Sequence, residues 1–362
     1  MEKLTKRLSI QEADLAVCES AASFLQSAMW GEFKSRFGWT AKTFLIDWSL
    51  DEVQEKTPLL VLCRRLTPGF SFAYVPWGPE LPASFPDEAK PKIIAALAKN
   101  LKKFLTPNTV FVRFEPPWIV NVENNVNSSL FLAAGLKQTA ITVQAPDTVI
   151  VDLSPSCGEI LLAMKPKWRY NISLAVKKDV QVNTGTIQEL DVFYELLKET
   201  AIRDGIAIHN FSYYKTLFEL CQKQNNDKLQ IRLYIANHDD DVLAAIIVLF
   251  RGKEATYLYG ASSNKKRNLM APYALQWKVM QDAKEAGCLN YDLFGIPPND
   301  DPNHPMAGLY RFKTGFGGKI IHRPGAWDFP YKSFFYTLFK VAEKVRKRLL
   351  NRKKKIYNKP KE

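Results

Sequence analysis

Apolar and polar positions along this 362-residue chain change rhythm twice in the same order. The run Phe72-Ala-Tyr-Val-Pro-Trp-Gly-Pro79 reads as a strand entering a turn. A helix is predicted over about 86–104, then a strand at Val110-Phe-Val-Arg-Phe-Glu115, closed by Pro116-Pro117. Further along, the strand Tyr257-Leu-Tyr-Gly-Ala-Ser-Ser263 leads to a helix over about 272–286 and the strand Asn290-Tyr-Asp-Leu-Phe-Gly295, closed by Pro297-Pro298. A crossover helix of this length implies parallel neighbouring strands. The pattern therefore predicts an α/β (α+β) chain of two tandem domains, 1–146 and 147–321, with a site in the cleft between the copies. Residues 322–362 are expected to return to the first domain and end in a basic tail.

Between the repeats, Asp147-Thr-Val-Ile-Val-Asp-Leu-Ser154 reads as a strand, with Ser154 capping a helix that has Pro155 at its first position. A helix over 187–201 ends at Arg203-Asp-Gly205. Lysines and aromatics interleave in Lys165-Pro-Lys-Trp-Arg-Tyr-Asn-Ile-Ser173, a mixture that suits phosphate or nucleic acid and equally a solvated helix face. There is no sustained heptad, so no coiled-coil arm is expected.

Composition narrows the classes. With 46% hydrophobic and 24% charged residues the chain is of ordinary globular type. Five cysteines without a CxxC pair suit a reducing cytoplasm, and four scattered histidines give no metal-binding spacing, so neither metal nor cofactor is expected. Glu12 and Asp14 interrupt any signal-peptide pattern, and no window reaches the ~18 apolar residues of a membrane span. The net charge of +13 is concentrated in 340–362, where eleven Lys/Arg face two Glu. Leading into and through its start, Phe335, Leu338, Phe339, Ala342, Val345 and Leu349 share a helical face. Three readings stay open: a basic amphipathic helix on the inner membrane leaflet, a phosphate contact for RNA, or a terminal helix packed on the body.

No G-x-S-x-G, H-E-x-x-H, P-loop or G-x-G-x-x-G is present. The strand ending at Ser263, followed by Arg267-Asn-Leu-Met-Ala-Pro-Tyr-Ala-Leu-Gln-Trp277, resembles the donor loop and helix of an acetyltransferase-type (GNAT-like) N-acyltransferase. Coenzyme A requires glycines there, so that backbone N–H groups can approach its pyrophosphate. Met270 and Pro272 stand in those places, and proline has no N–H to donate. A different acyl donor is expected. In Leu309-Tyr-Arg-Phe-Lys-Thr-Gly-Phe-Gly-Gly318 a lysine beside an aromatic could stabilise an oxyanion or a departing alkoxide; a surface lysine in a hairpin fits the same residues.

An ordered set of segments is similar to the FemABX family of peptidoglycan aminoacyltransferases. These are Phe24-Leu-Gln-Ser, Trp30-Gly-Glu-Phe-Lys34, Tyr74-Val-Pro-Trp-Gly-Pro79, Arg169-Tyr-Asn-Ile172, Arg203-Asp-Gly-Ile206, Tyr257 to Ser263, Tyr291-Asp-Leu-Phe-Gly-Ile296 and Phe312-Lys-Thr-Gly-Phe-Gly-Gly318. The resemblance implies two tandem GNAT-like domains, an aminoacyl-tRNA donor, and the stem peptide of lipid II or of UDP-MurNAc-pentapeptide as acceptor. It carries Lys34 over as the holder of the precursor's diphosphate. His209 falls where one well-known branch has arginine, and a neutral histidine holds phosphate less strongly. Tyr213 and Tyr259 match tyrosines of the acceptor cleft, and Glu115 and Asp292 match acids at strand ends. Phe312 and Lys313 match the pair where the tRNA 3′ end meets the reaction centre. Two rival readings are a coenzyme A-dependent acetyltransferase and a non-catalytic RNA- or membrane-binding protein on the same fold.

Overall fold

The structure, a computed structural model, describes residues 8–50, 53–120, 126–223 and 229–357. The chain divides into two compact units, one from Met1–Gln144 with Arg323–Glu362, the other Ala145–His322. The first unit contributes β1 (Leu8–Glu12), β2 (Thr40–Leu50), β3 (Val53–Thr67), β4 (Phe70–Val75), β5 (Thr109–Phe114) and β6 (Lys137–Thr139). The second holds β7 (Asp147–Asp152), β8 (Gln181–Gly185), β9 (Leu229–His238), β10 (Asp241–Arg251), β11 (Glu254–Ser262), β12 (Asn290–Gly295) and β13 (Lys319–His322). The chain then returns as β14 (Ala326–Pro330). The sheet orders are β1-β2-β3-β4-β5-β14-β6 and β13-β7-β12-β11-β10-β9-β8.

Both units follow one plan: an antiparallel meander, a crossover helix and a strand that joins in parallel. In the first, helix Lys90–Leu101 links β4 to β5; in the second, Ala271–Glu285 links β11 to β12. Each helix has a proline in its first turn, where no intrahelical N–H is missed. Each buries one stripe, Ile93, Ile94, Leu97, Ala98 and Leu101 in the first and Leu275, Val279, Met280 and Ala283 in the second. Alternation on β2 turns Phe44, Ile46 and Trp48 inward, whereas central β10 is buried from Leu243 to Phe250.

Local details differ from expectation. Ser156, not Ser154, caps helix Cys157–Ala163, in a capping box with Glu159. Pro155 therefore lies outside that helix, and Pro166 opens the next one, Pro166–Lys177. The segment expected as a helix over 187–201 is a 3-10 turn, Ile187–Glu189, continuing into Leu190–Asp204; Gly205 stops it in a left-handed conformation at φ 62°.

Candidate active site

The two copies differ in how far their parallel strands pair. In the first unit the parallel pairing of β4 and β5 reaches Val75 opposite Phe114, and Glu115 N–H continues it to the Val75 carbonyl at 3.1 Å. In the second unit the parallel pairing stops at Thr256 opposite Asp292. Beyond that point both strands are irregular. β11 is bulged against β10 between Tyr257 and Tyr259, and β12 is irregular against β7 between Asp292 and Gly295, with Phe294 at φ 59°. The two strands part, and their exposed backbone is re-aimed.

Lys313 occupies this break. It lies on helix Ala307–Thr314 rather than in a surface hairpin, and it is 5% exposed. Its ammonium donates to the carbonyls of Gly295 (2.9 Å) and Phe294 (3.3 Å) and sits 5.1 Å from the centre of the Tyr257 ring. The β12 irregularity is what points two successive carbonyls at one cation. Burial drives the lysine pKa down to about 7, against a smaller upward pull from Asp292. Asp292 is wholly buried; its Oδ1 accepts from the Thr148 hydroxyl and from Phe294 N–H at 2.7 Å. It therefore braces the bulge that holds Lys313.

Phe312 is half-buried against Tyr273 (5.2 Å between ring centres) and Phe316 (5.1 Å). The Trp168 indole N–H donates to the Phe312 carbonyl at 2.9 Å, and a Cβ on Gly315 would collide with the Trp168 ring. That glycine is required by close approach, and Trp168 fixes the helix carrying Phe312 and Lys313. At the mouth of helix Ala271–Glu285, Met270 has φ 58°, a conformation that favours glycine, and its side chain packs on the core. The backbone turn of a glycine loop is kept while its open space is filled.

A second cluster in this unit contains Tyr213, Tyr214, Tyr259 and His209. The Tyr259 and Tyr213 hydroxyls share a hydrogen bond, and Tyr214 meets Tyr259 edge-on at 5.1 Å. Burial raises the phenol pKa of Tyr259 well above its usual range. The exposed His209 ring stacks on Tyr213 at 3.8 Å. The neighbouring Arg203 is committed to Ser262, Asn264 and Asp204.

The other two expected residues belong to the first unit. Lys34, at the end of helix Ala28–Ser35, lies 5.5 Å from the Trp30 ring centre and 5.8 Å from that of Trp39. Burial first, and the Arg64 charge second, lower its pKa to about 8. Arg64 covers the same Trp39 ring at 5.2 Å. The sequence reading missed Arg64; its one signal was a pair of arginines ending the apolar run of β3. Glu115 is buried, and its carboxylate accepts from the Tyr74 hydroxyl, Val143 N–H (2.5 Å) and Gln144 N–H (3.0 Å). Glu115 thus ties the end of the first unit together. Among the described residues no group of His, Cys, Asp and Glu is placed to hold a metal, and no helix is long and apolar enough to cross a membrane.

A mixed sheet with a crossover helix and parted parallel strands is the GNAT-like fold, here in tandem. The chain belongs to the FemAB family, whose sequence profile matches residues 13–229 and 221–344. It is 25% identical over 427 residues, covering 99% of both chains, to a protein of Staphylococcus haemolyticus named lipid II:glycine glycyltransferase. A Staphylococcus aureus protein of the same name is 24% identical over 429 residues, again with 99% of both covered. Among solved structures, FemX superimposes with a TM-score of 0.75 at 19% identity over 91% of this chain and 99% of that one. A tandem GNAT protein from the clavulanic acid pathway does so at 0.51 and 10% identity, over 89% of this chain and 98% of that one.

Proposed function

We propose that the protein transfers an aminoacyl group from aminoacyl-tRNA to a stem-peptide amine of a peptidoglycan precursor of the lipid II type, forming a branch or bridge without a ribosome. The observation that carries this reading is the break between β11 and β12 with Lys313 set into it. The names of the relatives support the acceptor. The filled loop at Met270 and Pro272 supports a donor other than coenzyme A.

The chemistry is aminolysis of an activated ester. The amine nitrogen attacks the ester carbonyl, a tetrahedral oxyanion forms, and collapse expels the ribose oxygen, which takes up a proton as the amine loses one. Positioning and exclusion of water supply most of the rate for such a donor. Two of the three Lys313 ammonium hydrogens are held by Phe294 and Gly295, and the third has no acceptor among the described residues. In this reading it meets the oxyanion, while Phe312 places the acyl group or terminal adenosine. Lys34 and Arg64 hold the diphosphate, whose negative charge relieves the repulsion between them. Tyr213, Tyr259 and His209 form the acceptor side.

The test is a transfer assay with a pool of radiolabelled aminoacyl-tRNAs and either lipid II or UDP-MurNAc-pentapeptide. Label passing into a precursor is the expected result. Turnover of acetyl-coenzyme A with no transfer from any charged tRNA would overturn the reading.

A further inference from the structure

The last helix, Ser333–Tyr357, carries apolar residues on two opposite faces. One face is used. Tyr336 is buried and donates to Asp328 at 3.0 Å, Phe339 packs on Phe111 at 4.9 Å between ring centres, and Glu343 pairs with Arg113 at 3.5 Å. The opposite face presents Phe334, Leu338, Val341 and Val345, which are 70%, 52%, 57% and 48% exposed. Their spacing of four, three and four residues makes one continuous stripe. The sequence pattern had drawn the face through Phe339, which the structure assigns to the packed side. A surface helix gains nothing by holding four large apolar side chains in water, so the stripe marks a contact.

We infer that this stripe seats the protein on an anionic lipid surface, with the apolar side chains entering the acyl boundary and the basic charge of the C-terminal sequence drawn to the headgroups. The charge selects this occupant. Residues 340–362 carry a net +9, so a second copy brought stripe to stripe would set +9 against +9. RNA would use the lysines and arginines but has no need of Phe334, Leu338 and Val341. A lipid surface uses both. The inference rests on the lipid-linked acceptor proposed above, because an acceptor held in the membrane makes seating useful.

The full-length protein is mixed with phosphatidylglycerol-rich or phosphatidylcholine vesicles, both free of lipid II, and pelleted. The variants are Leu338→Glu with Val341→Glu, and Leu338→Ser with Val341→Ser, all at exposed positions. Expected are binding to the anionic vesicles only, weakened about tenfold or more by either double variant, with an unchanged melting curve and unchanged transfer to detergent-dispersed lipid II. Equal vesicle binding by wild type and variants, or none by wild type, would overturn the inference. So would loss of tRNA affinity, or of a dimer, as the only change in the variants. Failure of the wild type to transfer to either lipid II or the soluble precursor would instead count against the proposed reaction, since vesicle binding is read separately.

Discussion

Replacing Lys313 by methionine separates what this residue does for the reaction from what it costs the fold. A buried lysine that titrates near 7 instead of its ordinary 10.5 opposes folding whenever it is charged. The unfolded chain keeps its proton up to the higher value, so between about pH 7 and 10.5 it binds more protons than the native state. Stability contributed by this residue therefore rises with pH across that window, and the full penalty is present below about 7. The shift corresponds to about 5 kcal/mol at most. Methionine removes that penalty but leaves the carbonyls of Phe294 and Gly295 without their donor, at roughly 1 kcal/mol or more each. The net gain at neutral pH is expected to lie between zero and about 3 kcal/mol, while kcat falls about 100- to 1000-fold, as for loss of one oxyanion donor. Urea melts from pH 6.5 to 9.5 on both proteins, beside transfer kinetics, read all of this. The wild type should gain more stability along the series than the variant, which keeps the rise that Lys34 contributes above about pH 8. Parallel pH slopes in the two proteins, or a rate loss matched by an equal loss of precursor affinity, would refute the reasoning.

Activity that depends on the Lys313 ammonium should decline above pH about 7, and Asp292→Asn, by withdrawing the one charge that favours the ammonium, should move that decline to lower pH; kcat against pH with both proteins measures it, and an unmoved limb would count against the link. Lys34→Ala should raise KM for the precursor about tenfold or more with little change in kcat. In Arg64→Ala the loss of precursor affinity that sets in above pH about 8 should move upward, because the neighbouring positive charge is gone; titration of binding against pH would expose the reverse sign.

Much of the fold was legible because duplication repeats its signals. A strand with tyrosine near its end, a following helix and a second strand stopped by paired prolines each have a local cause and reappear in the structure, although the first helix begins at Lys90 rather than near 86 and β11 runs past Tyr259 to Ser262. Phe312 and Lys313 could be named from their motif, but their setting could not. The surface-hairpin alternative for Lys313 failed because helix Ala307–Thr314 is held by Trp168, well over a hundred positions away. The irregularity of β12 is invisible in Tyr291-Asp-Leu-Phe-Gly-Ile296, which reads as an uninterrupted strand. The two acids show a related limit: Glu115 and Asp292 look reactive at strand ends, and the backbone N–H groups and hydroxyls that they accept from are brought to them only by the folded chain. Arg64 was missed since cation convergence over Trp39 depends on the β2–β3 hairpin meeting helix Ala28–Ser35. Periodicity found the terminal helix but could not tell its packed side from its free one.

The strand β14 lies between β5 and β6, yet it leaves the ribosome after all of residues 145–322. At ordinary elongation rates that is a delay on the order of ten seconds or more. Through that interval β5 and β6 have no strand between them, Arg113 lacks the Asp328 carboxylate it will hold at 2.7 and 2.9 Å, and Phe131 lacks the Trp327 ring that will stack on it. The first-made unit is therefore the last to close. A chain stopped after His322 should lose protease resistance throughout 8–144, and not merely its tail. Biosynthesis treats the two copies unequally: the second can finish folding from contiguous sequence, whereas the first waits with open sheet edges for a segment not yet translated.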